Sequence, residues 1–161
     1  VPVVVPIAPF ARVFEALERG EVEAALLIHE GRLLFEQRGC VAVAELGEWW
    51  LRETALPLPL GVNVIRRGLG SETIARVSDV LREAIAYALN HRQEVIRAIA
   101  GEKRGEAALA ETALLDRYLG MYANDDTRAM APDVRQAIDV LFGRAVAAGL
   151  LPANCRVDWA P

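Results

Sequence analysis

Apolar positions change their spacing along this chain, and the spacing predicts its elements. Val3–Ile7 is a continuous, largely β-branched run that reads as a buried strand. Over Phe10–Arg19 the apolar residues fall at Phe10, Val13, Phe14 and Leu17, which is helical spacing. Pro9 before that stretch and Gly20 after it are start and stop signals. Ala24–Ile28 is a second short apolar run. Strand, helix and strand on short connections predict a βαβ unit with parallel strands.

Further on, Arg32–Gln37 predicts a short helical turn punctuated by Gly39, Val41–Ala44 a strand, and Leu46–Glu53 a helix. Leu56-Pro57-Leu58-Pro59-Leu60 cannot be helix interior, because each proline pushes its predecessor into an extended conformation. It leads to a predicted strand at Val62–Ile65. From Ser71, a plausible N-cap, the residues Ile74, Val77, Ser78, Leu81, Ile85, Ala88 and Leu89 trace one helical face through Asn90. Helices follow over Arg92–Ala100, Glu106–Tyr122 and Pro132–Ala148, the last opened by Pro132 and stopped by Gly149 and Pro152. The expected fold class is α/β to about residue 70 and all-helical after it, with no internal repeat.

A length of 161 residues suits a domain able to bury a core, and 53% apolar with 25% charged residues is ordinary for a folded protein. Domains rarely begin inside a buried strand, so the run Val1-Pro2-Val3-Val4-Val5 predicts that the 161 residues are not the whole domain. The net charge of -4 argues against a nucleic-acid partner, which needs a basic patch. The longest uncharged runs, Val1–Ala11 and Ala55–Ile65, are too short to span a membrane and are broken by prolines. No basic segment precedes the apolar start, so no signal peptide is read and a cytoplasmic location is expected. Cys40 and Cys155, far apart, read as reduced thiols, and with His29 and His91 they make no zinc spacing. Lys103 is the single lysine, a lone Schiff-base candidate in a polar stretch, 101–105, that reads as an exposed loop.

His29 is the most informative polar residue. It follows a predicted buried strand of a parallel sheet, and ligands in such folds bind beyond the carboxyl ends of strands. Imidazole suits general-base work near neutral pH. Glu30 is adjacent, but neighbours on an extended chain point apart. The bland reading of His29 is a strand-capping side chain bonded to backbone. His91 reads as a solvated helix end. Trp49 and Trp50 diverge by about 100° on a helix, so at least one belongs to the core. Asn63 sits inside an apolar run and is either satisfied by backbone or faces a cleft. Arg66 and Arg67 could clamp a carboxylate or simply end a surface strand. Asn124-Asp125-Asp126-Thr127 resembles a turn more than a metal site. There is no phosphate loop, nucleophile elbow or dinucleotide fingerprint.

Three stretches carry a resemblance. Residues 20–32, GEVEAALLIHEGR, resemble a G-E-V-(D/E)-A-G-L-I-I-H-E-(S/G)-R signature. Residues 46–50, LGEWW, resemble an L-G-x-W-W element, and 54–61, TALPLPLG, followed by Arg66-Arg67, resemble a T-G-L-P-L-P-L-G…R-R segment. In this order they are similar to the 1,4-dihydroxy-6-naphthoate synthase family of the futalosine route to menaquinone, and the resemblance covers nearly all of the chain. It implies a two-lobed fold like that of type II periplasmic binding proteins, with the active site between the lobes. It implies a carbon–carbon lyase that converts cyclic dehypoxanthine futalosine, a small-molecule substrate, to 1,4-dihydroxy-6-naphthoate, without a metal or organic cofactor. The family's base is the histidine of the H-E-(S/G)-R motif, here His29; Asn63 and Arg66 are substrate-binding candidates. Residues 1–60 would complete the second lobe, and 61–161 would supply a crossover strand and helices returning to the first, whose amino-terminal portion is not in this sequence. A non-catalytic solute-binding protein of the same fold, the chorismate-dehydrating relative, and an inactive fragment with an exposed strand edge are the alternatives. Two positions depart from the pattern: Ala25 and Ala55 stand where the family has glycine, tolerable where the backbone φ is negative.

Overall fold

The computed structural model describes residues 1–6, 11–29, 31–101 and 112–160. Eight α-helices lie among them: α1 (Ala11–Glu18), α2 (Gly31–Leu34), α3 (Leu46–Thr54), α4 (Ser71–Asn90), α5 (Arg92–Gly101), α6 (Thr112–Tyr122), α7 (Asp125–Arg128) and α8 (Pro132–Ala147). Short 3-10 turns follow α2 at Glu36–Arg38 and precede α4 at Arg67–Leu69. The longer helices thus match their predicted ranges within a residue or two wherever the chain is described, α2 with its 3-10 turn divides the predicted Arg32–Gln37 turn, and the short α7 forms where a turn was expected. Pro9, Phe10, Glu30, Lys103 and residues 106–111 lie outside the described residues. Ser71 is the first helical residue of α4, and Gly70, not Ser71, occupies the cap position.

The strands differ. No strand forms among the described residues, which corrects the α/β expectation for the first 70 positions. Apolar, β-branched runs favour a strand only when a neighbouring segment takes up their backbone N–H and C=O groups. Here no such ladder forms, and the side chains meant for a core meet solvent: Val4 is 93% exposed, Val43 88% and Val64 87%.

The described chain divides into two units, each built from separate stretches. The first comprises Val1–Val43 and Arg92–Met121. Its buried apolar side chains are Phe14 and Ala16 of α1, Ile96 of α5, and Leu114 and Leu115 of α6. Gly20, at φ 68°, closes α1 in the left-handed conformation: its N–H donates to Leu17 O and that of Glu21 to Ala16 O. The Arg38 guanidinium lies over the Phe14 ring, 5.2 Å from its centroid.

The second unit comprises Ala44–His91 and Tyr122–Pro161. Trp50, Leu56, Ala137 and Ile138 are its buried apolar residues. The tryptophan pair splits as helical geometry requires: Trp50 is 3% exposed and Trp49 45%. The Trp50 indole N–H donates to Pro57 O at 3.1 Å, so the Leu-Pro-Leu-Pro-Leu segment is tied to α3. Arg144 of α8 stacks over the same ring at 5.2 Å. The Thr54 hydroxyl donates to Trp50 O at 2.7 Å and accepts from Leu56 N–H at 3.1 Å, turning the chain out of α3. α4 packs against α7 and the 3-10 turn before it, yet none of its residues is buried, and Val77, Val80, Leu81 and Tyr87 remain exposed. None of the described helices is long and apolar enough to cross a membrane.

Ala55 does not meet the condition of a negative φ. It ends α3 at φ 56°, ψ 22°, donating its N–H to Leu51 O. That left-handed cap is where a glycine costs nothing and a Cβ costs about 1 kcal/mol, which gives the physical reason for the glycine of the resembling segment. Ala25 shows no positive φ.

Two outcomes follow for denaturant unfolding of the chain. Trp50→Ala should lose about 3–5 kcal/mol of stability, against less than about 1 kcal/mol for Trp49→Ala, because only Trp50 leaves a cavity. Ala55→Gly should gain about 0.5–1 kcal/mol by relieving the left-handed alanine.

Candidate functional site

His29 stands at the end of a ladder-free segment, immediately before α2. Its backbone is left-handed, at φ 51°. Histidine is among the non-glycine residues enriched in that region, yet the position still marks a tight reversal. The reversal is recorded in two bonds: Gly31 N–H donates to Ile28 O at 3.1 Å and Arg32 N–H to His29 O at 3.3 Å. Gly31 is buried, so α2 starts against the body of its unit, and His29 is half-buried. Its Nδ1 lies 3.4 Å from the hydroxyl of Tyr118, which comes from α6, 89 residues away.

α6 is a firm support for that contact. Leu114 and Leu115 are buried, and Tyr118 follows them at helical spacings of four and three, on the same face. Arg92, the first residue of α5, grips α6 two residues earlier: its Nε donates to Asp116 Oδ1 at 2.6 Å and its Nη2 to the Asp116 carbonyl at 2.7 Å. One guanidinium therefore holds both the side chain and the backbone of a single helical residue, a charge-assisted fork that a lysine cannot reproduce. Gly120, one turn on, lies beside the same guanidinium, where an added Cβ would stand in ordinary contact, 3.5 Å from Arg92 Nη2.

The other sequence candidates fall elsewhere. Asn63 and Arg66 belong to the second unit and are exposed, Asn63 in a segment without a ladder and Arg66 in extended backbone at φ -72°. Arg67 pairs with Asp158. His91 closes α4, its Nδ1 2.9 Å from Tyr87 O and its ring stacked on Tyr87 at 4.0 Å, as a solvated helix end. Asn124 caps α7: its Oδ1 accepts from Asp126 N–H while Thr127 Oγ1 accepts from Asn124 N–H, so this acidic stretch is a capping box. Cys40 and Cys155 are half-buried free thiols. Among the described residues no group of three or more His, Cys, Asp and Glu is placed to hold a metal.

Tyr118 and the Arg92–Asp116 clamp were not singled out in the sequence. The spacing of Tyr118 from Leu114 and Leu115 puts it on an inward face, but nothing local pairs it with a residue 89 positions away.

Comparison with known proteins follows the same stretches. A family model described as menaquinone biosynthesis matches residues 2–147. A Streptomyces coelicolor protein named 1,4-dihydroxy-6-naphthoate synthase is 35% identical over 147 residues, covering 91% of this chain and 51% of its own length. A Thermus thermophilus protein of the same name is 37% identical over 150 residues, covering 91% and 53%. A crystal structure of an Archaeoglobus fulgidus protein superposes with a TM-score of 0.79 at 37% identity, over 89% of this chain and 53% of that one. The chain thus spans about half the length of the relatives it matches.

Replacing Arg92 by Met should cost about 1–2 kcal/mol, since the Asp116 carboxylate and carbonyl lose their shared donor while remaining partly in water. Amide hydrogen exchange across residues 116–122 should accelerate with it. Unchanged exchange there would show that α6 is held by its leucines alone.

Proposed function

The chain belongs to the menaquinone biosynthesis family, and from that premise we propose that it forms about half of a 1,4-dihydroxy-6-naphthoate synthase. The names of the Streptomyces coelicolor and Thermus thermophilus relatives support this reading. The observation that carries it is His29. Within the His-Glu-Gly-Arg motif, this residue combines a left-handed backbone, a half-buried ring and a side-chain partner from a distant helix.

In this reading the reaction is a carbon–carbon lyase step on cyclic dehypoxanthine futalosine, without a metal or organic cofactor, in the cytoplasm. Neutral His29 takes a proton from the sugar-derived part of the substrate. The electron pair so released forms a carbonyl on the sugar fragment as its carbon–carbon bond to the ring system breaks; the bonding pair passes to the ring system, and the fragment departs as a carbonyl compound. Aromatic stabilisation of the naphthoate drives the step. A positioned base of this kind contributes about 10²- to 10⁴-fold in rate.

The proposed architecture is two-lobed, like a type II periplasmic binding protein, with the substrate between the lobes. Closure there would exclude water and align the base. The apolar runs at 1–5, 24–28 and 41–43 would gain strand partners in the second lobe. Residues 61–161 would return to the first. Asn63 and Arg66 would hold the substrate carboxylate, an amide and a guanidinium being suited to two carboxylate oxygens.

The test is His29→Ala and His29→Gly in the full-length protein, assayed for naphthoate formation. Glycine suits the left-handed backbone, so the Gly variant controls for misfolding. Both should lose about 10²-fold or more in kcat. Turnover within about threefold of wild type would remove His29 from the chemistry.

A further inference from the structure

A general base needs one ring nitrogen free to take a proton, and histidine has two that compete for that role. Which nitrogen carries the hydrogen is set by what the other edge of the ring touches. In this structure the Nδ1 edge of His29 faces the Tyr118 hydroxyl at 3.4 Å. The backbone that carries His29 has no ladder to fix it and turns through a left-handed residue. Tyr118 has the opposite character, standing on a helix anchored by Leu114, Leu115 and the Arg92–Asp116 fork.

We propose that Tyr118 is the positioning residue of the site: its hydroxyl oxygen accepts the Nδ1–H of His29, which makes Nε2 the basic nitrogen of the ring. This rests on the reading of His29 as the base. A phenol oxygen can accept as well as donate, so it suits both stages of the reaction. At 3.4 Å the contact is long for a neutral pair. When Nε2 takes its proton the ring becomes a cation, and the same N–H···O bond shortens and strengthens. The contact therefore favours the protonated ring formed during the reaction over the neutral ring that precedes it, which raises the rate rather than the affinity. The phenol does not touch the reacting carbon; its effect passes through the imidazole.

The test uses the full-length enzyme. Long-range proton–nitrogen NMR of the His29 ring, assigned by comparison with His29→Gly, should show the Nδ1–H tautomer in the wild type. Tyr118→Phe keeps the aromatic ring and removes the oxygen. It should move His29 toward the Nε2–H tautomer and lower kcat by about tenfold with KM within about twofold. An unchanged tautomer and unchanged kcat in Tyr118→Phe would overturn the proposal. So would an Nε2–H tautomer in the wild type, a result that needs no variant to fold. Full activity of His29→Gly would instead sink the base reading, while the tautomer would still report whether Tyr118 holds the ring.

Discussion

Arg92 holding Asp116 by both its carboxylate and its carbonyl is the contact on which the site depends. His29 cannot be placed by its own segment, because residues 22–28 pair with no neighbouring strand among those described. Its geometry has to come from outside, and α6 supplies it. Leu114 and Leu115 bury one face of that helix, and the Arg92 fork resists its sliding or rotating. Tyr118 then stands at a defined point beside the imidazole. Burial alone would leave α6 free to slip along an apolar surface, since hydrophobic contact is not directional. The charge-assisted fork is directional, and it lies two residues from the tyrosine.

The second unit follows a similar logic around Trp50. A buried indole can pack in several ways, but its N–H must find an acceptor, and Pro57 O is that acceptor. The proline-rich segment is thereby held to α3. A left-handed residue at 55 makes the sharp exit possible, at the expense of placing an alanine where glycine would be easier. His29 shows the same backbone conformation in the first unit. Both left-handed residues lie within stretches that carry the family resemblance, 20–32 and 54–61.

Much of this was legible in the residues and some of it was not. The helices were, because their apolar spacing and their glycine and proline punctuation are local signals, and α1, α4 and α8 needed nothing from elsewhere. The strands were not. Val41–Ala44 and Val62–Ile65 have the right residue types, but a strand also needs a partner, and partnership is not written in a single run of side chains. Trp49 and Trp50 could be separated only as one in and one out; which was which depends on the helix meeting Pro57 and Arg144. The sign of φ at Ala55 stayed open in the sequence, since an alanine gives no local signal of a left-handed helix cap. His29 was found from its position and its motif. Tyr118 lies too far along the chain for any pattern to join the two.

Chemical rescue tests the role of His29 most directly. In the full-length protein with His29→Gly, added imidazole and its substituted analogues should restore naphthoate formation, with rates that rise with the basicity of the added amine, because the cavity admits the missing base. Rates indifferent to every added base, in a variant that already turns over like wild type, would contradict a proton transfer to His29.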